Sequence, residues 1–232
     1  MREAENGIRL QQRADCEKQN PHILHTGELH NIFIGKHRGA CEHKQHCSKQ
    51  LLAAKAAKSE ATVLVFGESG TGKELFARLV YSESNRRKGK FLAVNCSAIE
   101  PTLLGSTLFG HEKGAFTDAK EQRKGLFDDA DGGTLFLDEI GETSERVQAM
   151  LLTVLETGTF VRVGGSEASR VKVDVRLVCA TNRNLQQMVL EGKFRLDLYQ
   201  RISEFPVQLT PLRDRKEDIE PLVRNFWHNM TG

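Results

Sequence analysis

Eight consecutive residues have the composition of a loop that binds phosphate: Gly67, Glu68, Ser69, Gly70, Thr71, Gly72, Lys73 and Glu74. Glycines let successive backbone N–H groups turn toward phosphate oxygens, and a helix beginning at the loop adds a partial positive charge. Lys73 is placed to reach the β- and γ-phosphates of a nucleotide. Glu74 stands where Ser or Thr usually supplies a magnesium ligand, so metal binding must depend on water and on a second acidic site. The alternative is a plain glycine-rich turn between a strand and a helix.

The second acidic site follows about 65 residues later, where the apolar run 133–137 ends in Asp138 and Glu139. Asp138 is placed to hold Mg²⁺ directly or through water, and Glu139 to orient and deprotonate an attacking water. Alone, such a strand end is an ordinary solvated turn in most proteins. Its position downstream of a phosphate-binding loop gives it a specific partner.

A third polar pair, Thr181 and Asn182, follows the apolar run 175–180. The carboxyl ends of parallel strands lie at one edge of a sheet, where open α/β folds bind their ligands. Asn182 therefore has two interpretations, a sensor of the γ-phosphate or a turn asparagine whose hydrogen bonds are locally satisfied.

These residues require a sheet to position them, and the hydrophobic pattern supplies one. Short apolar runs at 62–66, 91–94, 134–137 and 175–180 alternate with helical patterns at 48–58, 74–81 and 145–156. Strands alternating with helices predict an α/β fold with a parallel sheet wound by right-handed crossovers. The segment 160–175 interrupts this rhythm with alternating stretches around Gly164 and Gly165, which predicts a β-hairpin insertion.

Composition limits the remaining function classes. The net charge of +2 gives no general electrostatic footprint for DNA or for an anionic membrane. Five scattered cysteines do not form a disulfide framework, and no apolar run approaches the length of a membrane span. We therefore expect a soluble protein in the cytoplasm, with Cys96 and Cys179 as small core residues.

The first 47 residues are rich in His, Gln, Lys and Glu with little hydrophobic periodicity, which predicts an irregular extension or linker. Cys41, His43, His46 and Cys47, with His37 nearby, have residue types that bind zinc. Their spacing matches no standard zinc finger, so a solvated polar segment is the favoured interpretation and metal binding the alternative.

From about Ala61 to Leu222 the chain resembles the central AAA+ domain of bacterial enhancer-binding proteins, the sigma-54-dependent activators of the NtrC family. The resemblance implies a P-loop NTPase fold of the AAA+ type over 48–232, C-terminally truncated, with the helical lid largely absent and no helix-turn-helix. It is carried by these stretches in order: VLVFGESGTGKELFAR, FLAVNCSAI, LFGHEKGAFTDA, ADGGTLFLDEIGE, RLVCATNRNL and GKFRLDLYQRISEFPVQLTPLRDRKEDI.

The resemblance also implies residue roles. The loop ending in Lys73 corresponds to Walker A, Asp138 and Glu139 to Walker B, and Thr181 and Asn182 to the first sensor. Asn95 corresponds to an asparagine that restrains the catalytic glutamate, although sequence alone favours a polar residue at a strand end. Arg195 and Arg201, on a helix predicted to begin near Phe194, correspond to arginine fingers supplied to a neighbouring subunit of a ring, usually a hexamer. Without the family they are solvated helix charges.

One further loop resembles the GAFTGA segment with which this family contacts sigma-54. Its second glycine is replaced by Asp118, which adds a negative charge and removes the freedom to adopt positive φ at low cost. A generic turn of small residues is the alternative interpretation. The loop comprises Gly114, Ala115, Phe116, Thr117, Asp118 and Ala119.

Two functions follow from these features. The first is an ATP-hydrolysing, Mg²⁺-dependent transcription activator that remodels sigma-54 RNA polymerase to open promoters. The alternative is a nucleotide-binding regulatory module without sigma-54 remodelling, because of Asp118 and the short C-terminus. An AAA+ ATPase acting on another protein is a third possibility.

Overall fold

A computed structural model describes residues 52–116 and 119–231 of the chain. The predicted N-terminal extension over 1–47 lies outside the described residues, as does the cluster of Cys41, His43, His46 and Cys47. The beginning of the helix predicted from residue 48 and the loop residues Thr117 and Asp118 also lie outside them.

Five parallel strands form the central sheet in the order β2-β3-β6-β1-β7. The three strands in the middle are continuous apolar runs because helices cover both faces of a parallel sheet. The parallel α/β sheet predicted from the sequence is confirmed. Its strands are β1 (Val63–Phe66), β2 (Phe91–Asn95), β3 (Thr134–Asp138), β6 (Arg176–Thr181) and β7 (Phe205–Gln208).

Helices fill the connections between these strands, and one more helix follows β7. A helical segment at 52–57, called α1, precedes β1. The others are α2 (Lys73–Ser82), α3 (Pro101–Phe109), α4 (Leu126–Asp129), α5 (Glu145–Thr157), α6 (Leu185–Leu190), α7 (Leu196–Ile202) and α8 (Ile219–Thr231). None of the helices within 52–116 and 119–231 has the length and apolar character needed to cross a bilayer.

The predicted insertion after α5 is a small antiparallel hairpin. Its strands, β4 (Thr159–Phe160) and β5 (Val171–Lys172), are each only two residues long. The connection between them pairs with the loop that follows α3, since the Glu112 N–H donates to the Val163 carbonyl at 2.9 Å and the Val163 N–H donates to the Gly110 carbonyl at 3.0 Å. The loop predicted to contact a partner and the hairpin are therefore one connected surface.

An aromatic cluster fixes the base of this surface. Phe109, Phe127 and Phe160 are almost fully buried, and the rings of Phe109 and Phe127 stack with centroids 5.0 Å apart. Arg162 and Asp128 form a buried ion pair beside them, with side chains 10% and 8% exposed. Because α3, α4 and the hairpin each contribute to this cluster, the insertions are held by the same core as the sheet.

Candidate active site

The phosphate-binding loop lies between β1 and α2, as its sequence context predicts. Gly70 and Gly72 have φ of 79° and 90°, values that residues with a Cβ adopt only at a cost in free energy. The turn places Lys73 at the first position of α2, with only 6% of its side chain exposed. The loop therefore presents the end of a ten-residue helix to a ligand, which is the arrangement that favours anions.

Lys73 connects this loop to the acidic strand end. Its Nζ donates to the carbonyls of Gly67 and Glu68 at 3.1 and 3.3 Å, and lies 3.7 Å from Oε1 of Glu139. A buried ammonium is costly unless its donors are satisfied, and these three oxygens satisfy it. The cation is thus held at the centre of the loop, where phosphate oxygens would compete for it.

Asp138 is the last residue of β3, and Glu139 follows in a left-handed conformation with φ of 52°. Glu139 is the one residue other than glycine with positive φ in the described part of the chain. Burial and the neighbouring Glu139 carboxylate raise the pKa of Asp138, while Lys73 acts in the opposite direction. The carboxylates of Asp138 and Glu139 therefore lie close together with Lys73 as the nearby cation, and an additional cation would stabilise them.

The third strand end completes the edge. The Asn182 N–H donates to Oε2 of Glu139 at 3.2 Å, and its Nδ2 donates to Oγ of Ser69 at 3.3 Å. Thr181 is fully buried, and its hydroxyl accepts the Arg183 N–H at 3.0 Å. Asn182 thus bridges the carboxylate and the phosphate-binding loop, whereas Thr181 supports the turn that carries it.

Two predicted site residues face elsewhere. Glu74 pairs with Arg78 at 2.7 Å on the exposed side of α2. Asn95 pairs in register with Asp138 on the neighbouring strand, but its Oδ1 accepts the N–H and hydroxyl of Ser97 at 2.8 and 2.7 Å. In this arrangement Asn95 caps the short turn after β2, as the sequence-only interpretation expects.

The two candidate arginine fingers lie at the two ends of α7, and each pairs with an acidic residue two or three positions further along. Arg195 precedes the helix, which begins at Leu196 rather than near Phe194, and its guanidinium pairs with Asp197 at 2.6 Å. Arg201 pairs with Glu204 at 2.7 Å and donates to the carbonyl of Leu155 at 3.0 Å. The side chains of Arg195 and Arg201 are 38% and 46% exposed. Within the described part of the chain, neither contacts the phosphate-binding residues.

The described part of the candidate partner loop is a tight turn. Gly114 has φ of 82°, its N–H donates to the Ala119 carbonyl at 2.8 Å, and Ala119 is buried. Phe116 is 39% exposed, with one edge of its ring packed against His111 at a centroid distance of 4.8 Å. Ala115 lies against Gly164 of the hairpin connection, where a Cβ on that glycine would lie 2.6 Å from the Ala115 Cβ.

Sequence reasoning missed two arginines that reach the phosphate-binding loop. Arg213 forms a bidentate pair with Glu68 at 2.7 and 2.5 Å, and Arg215 donates to the Thr71 carbonyl at 2.9 Å. Their partners are 145 and 144 residues distant in sequence, so local pattern gives no signal. Both lie in a stretch of alternating charge that looks like a solvated surface.

The described residues contain no group of three or more His, Cys, Asp or Glu side chains able to hold a metal ion. Mg²⁺ differs from zinc in being bound commonly by one or two carboxylates together with substrate phosphates and water. The crowded pair of Asp138 and Glu139 fits that mode of binding, because a divalent cation would relieve their mutual repulsion.

Comparison with known proteins agrees with this geometry. Residues 39–208 match the sigma-54 interaction domain family. The chain is 58% identical over 172 residues to a Nif-specific regulatory protein of Rhodobacter capsulatus, covering 74% of this chain and 29% of that relative. It is 54% identical over 173 residues to the regulatory protein AtoC of Escherichia coli, covering 75% of this chain and 37% of that relative.

Solved structures show the same fold. NtrX from Brucella abortus aligns with a TM-score of 0.74 and 35% identity, covering 96% of this chain and 48% of that one. A structure of NtrX in complex with ATP aligns with a TM-score of 0.75 and 33% identity, covering 98% and 47%. The chain thus spans about a third of the length of these curated relatives and about half of the solved chains.

Proposed function

The chain belongs to the sigma-54 interaction domain family, and we propose that it is an ATP-hydrolysing transcription activator that remodels sigma-54 RNA polymerase to drive promoter opening. One observation carries the catalytic half of the proposal. Three adjacent strands of the sheet deliver a phosphate-binding loop, a carboxylate pair and an asparagine to one edge. These are joined through the contacts of Lys73 with Glu139, Glu139 with Asn182 and Asn182 with Ser69.

Each residue then has a role in the attack of water on the γ-phosphate of ATP. Lys73 and the N–H groups of the loop bind the phosphates, and Glu139 orients and deprotonates the water. Asn182 reports the γ-phosphate to the loop and to Glu139, because its N–H and amide contact both. Asp138 would hold Mg²⁺, which would neutralise charge on the phosphates.

Arg195 and Arg201 complete the site of a neighbouring subunit. Their side chains are exposed, so they are accessible to a second copy of the chain once Arg195 leaves Asp197 and Arg201 leaves Glu204 and the Leu155 carbonyl. An arginine supplied in trans stabilises the charge of the transferring phosphoryl group and contributes about 10³–10⁵-fold to turnover in other phosphoryl-transfer enzymes. We therefore propose a ring, a hexamer as the family resemblance implies, working in the cytoplasm beside RNA polymerase.

The loop 114–119 is the proposed contact with sigma-54. Phe116 in this loop is partly exposed, and the hydrogen bonds of Val163 with Glu112 and Gly110 connect the loop to the hairpin. Since the hairpin follows α5, which itself follows Glu139 within a few residues, a change at the catalytic edge has a short covalent path to this surface.

A mixing experiment tests the trans arrangement. Lys73→Ala removes the phosphate contact but keeps both arginines, whereas Arg201→Ala keeps the phosphate-binding loop intact. Each variant alone should release phosphate from MgATP at a small fraction of the wild-type rate, and an equimolar mixture should regain activity. Arg170→Ala, which loses an exposed pair with Glu167 on the hairpin, is the matched control and should hydrolyse ATP normally.

No recovery on mixing, with both variants folded, would reject the trans role of Arg201.

A second experiment tests the partner. Capture of purified sigma-54 in the presence of MgATP analogues is compared between the wild-type chain and Asp118→Gly. Capture by either version supports remodelling of sigma-54. ATP hydrolysis without capture by either would instead favour the regulatory module or an ATPase acting on another protein.

A further inference from the structure

The segment after β7 lies beside the phosphate-binding loop, because the strands that precede the two segments are neighbours in the sheet. Strands β7 and β1 pair in parallel, and the Leu209 N–H donates to the Phe66 carbonyl at 2.7 Å. A Cβ on Gly67 would lie 3.0 Å from the Leu209 carbonyl oxygen. The two segments that leave this edge of the sheet, 67–72 and 210–218, therefore run side by side.

Arg215 holds the middle of the loop from this position. Its Nη2 donates to the Thr71 carbonyl at 2.9 Å, and its Nη1 donates to Oδ2 of Asp218 at 3.0 Å. The two side chains are only 11% and 7% exposed. Thr71 lies between the two glycines of positive φ, and its N–H and hydroxyl donate to the Glu68 carbonyl at 3.3 and 2.8 Å. A buried, oriented guanidinium is thus bonded to the turn between Gly70 and Gly72.

Arg213 acts on the beginning of the same loop. Its bidentate pair with Glu68 holds the pKa of that carboxyl below its usual value. An uncompensated carboxylate beside the bound phosphates would repel them, since like charges a few ångströms apart interact unfavourably even at the protein surface. Arg213 therefore neutralises the one acidic side chain between Gly67 and Lys73.

We propose that Arg215, oriented by Asp218, is a positioning residue that keeps the phosphate-binding loop in its receptive shape, while Arg213 removes the electrostatic penalty of Glu68. The proposal rests on the function proposed above, because it assigns these residues to the nucleotide site. Neither arginine touches the reacting atoms directly. Their effect is on nucleotide affinity rather than on the chemical step.

Arg215→Lys is the first variant, because it keeps the positive charge but lacks the rigid planar guanidinium that bonds Thr71 and Asp218 through different nitrogens. The matched control is Arg170→Lys, an arginine with an acidic partner three residues away that lies outside the nucleotide site. Hydrogen exchange of the 67–73 amides is measured in the chain without nucleotide, and affinity is measured with a fluorescent ADP analogue. We expect faster exchange and about tenfold weaker binding for Arg215→Lys, with KM raised more than kcat is changed.

Asp218→Asn provides a second route should Arg215→Lys fold poorly, and it should produce the same two effects. Arg213→Gln should weaken binding several-fold, and adding Glu68→Gln should restore it, because the pair is then neutral. Unchanged exchange in both Arg215→Lys and Asp218→Asn would overturn the proposal. Equal affinity of all variants and wild type would also overturn it, leaving the ATPase function intact.

The ATPase function and the positioning role of Arg215 can be rejected independently of each other. If wild-type chain bound no nucleotide, the proposed function would fail, yet faster exchange of the 67–73 amides in Arg215→Lys would still support positioning. If wild type bound nucleotide and only Lys73→Ala lost it, the proposed function would stand and the positioning role would be rejected.

Discussion

Replacing Glu139 by Gln separates binding of the nucleotide from its hydrolysis. Glutamine keeps the length of the side chain and an oxygen for the Asn182 N–H, which Oε2 of Glu139 accepts at 3.2 Å. It also tolerates the left-handed backbone no better and no worse than glutamate, so the strain at φ of 52° is common to both. The substitution therefore removes one property, the basic negative charge.

The distances set the expected sizes of two effects. Loss of a general base lowers turnover by about 10²–10⁴-fold, equivalent to about 3–5 kcal/mol of transition-state free energy. Binding should change in the opposite sense. Glu139 lies 3.7 Å from Nζ of Lys73, a gross attraction of about 4 kcal/mol at an effective dielectric of about 20, and phosphates must compete with it. Without that competitor, ATP should bind at least as tightly as to wild type.

Phosphate release under single-turnover conditions measures the first effect, and titration with a fluorescent ATP analogue measures the second. Glu142→Gln is the matched control, since this carboxylate lies three residues further along and pairs with Arg183 at 2.5 Å outside the cluster. Turnover of Glu139→Gln above one tenth of wild type would refute its role as the base. Equal loss in Glu142→Gln would show that the strand end as a whole, rather than Glu139, is required.

Three further outcomes follow from burial. Asp138→Asn should raise the melting temperature by about 2–4 °C at pH 7.5. Because the pKa of Asp138 is raised in the folded state, ionisation of this carboxyl costs the wild-type protein stability as pH increases through that pKa. Below pH 4 the carboxyl is protonated and the difference in melting temperature should vanish. Scanning calorimetry at both pH values measures this difference. Burial and the nearby carboxylates raise the pKa of Cys96 to about 12, so iodoacetamide at pH 7.5 should modify it only after unfolding, as peptide mapping would report. Asp128→Ala leaves the Arg162 guanidinium buried without its partner, and urea unfolding should show a loss of about 3–5 kcal/mol; a loss below 1 kcal/mol would contradict the buried pairing.

The central strands were predictable because a strand buried on both faces must be apolar along its whole length, as in TLFL of β3 and LVCA of β6. β7 was not predicted. It is four residues long, alternates in burial and contains Pro206. It lies at the edge of the sheet, where a missing N–H leaves no ladder bond unmade, so proline is tolerated there. Pro206 argues against a central strand in the sequence, and for this reason the edge strand β7 was not predicted.

At the nucleotide site, some residues could not be predicted from the sequence for a different reason. The loop and the carboxylate pair were predictable because their chemistry is local, with all the required residue types adjacent in sequence. Arg213 and Arg215 contact the loop only because β7 pairs with β1, which is a consequence of the unpredicted strand. A charged residue three positions from another looks like a surface pair by pattern alone, whereas Arg215 and Asp218 are buried. Burial of a charge is a tertiary property that sequence spacing does not specify.

The proposed ATP hydrolysis would require Asn95 to change its hydrogen-bond partners at this edge of the sheet. Its Oδ1 is occupied by Ser97, and Glu139 is held by Lys73 and the Asn182 N–H. Phosphates that take Lys73 away would remove the closest positive charge from Glu139, which then needs a new donor. Asn95 is in register with Asp138 on the adjoining strand, one residue before Glu139, and we propose that its amide is this donor. We therefore propose that the restraining role implied by family resemblance belongs to a nucleotide-bound state, in which Lys73 has exchanged Glu139 for phosphate oxygens.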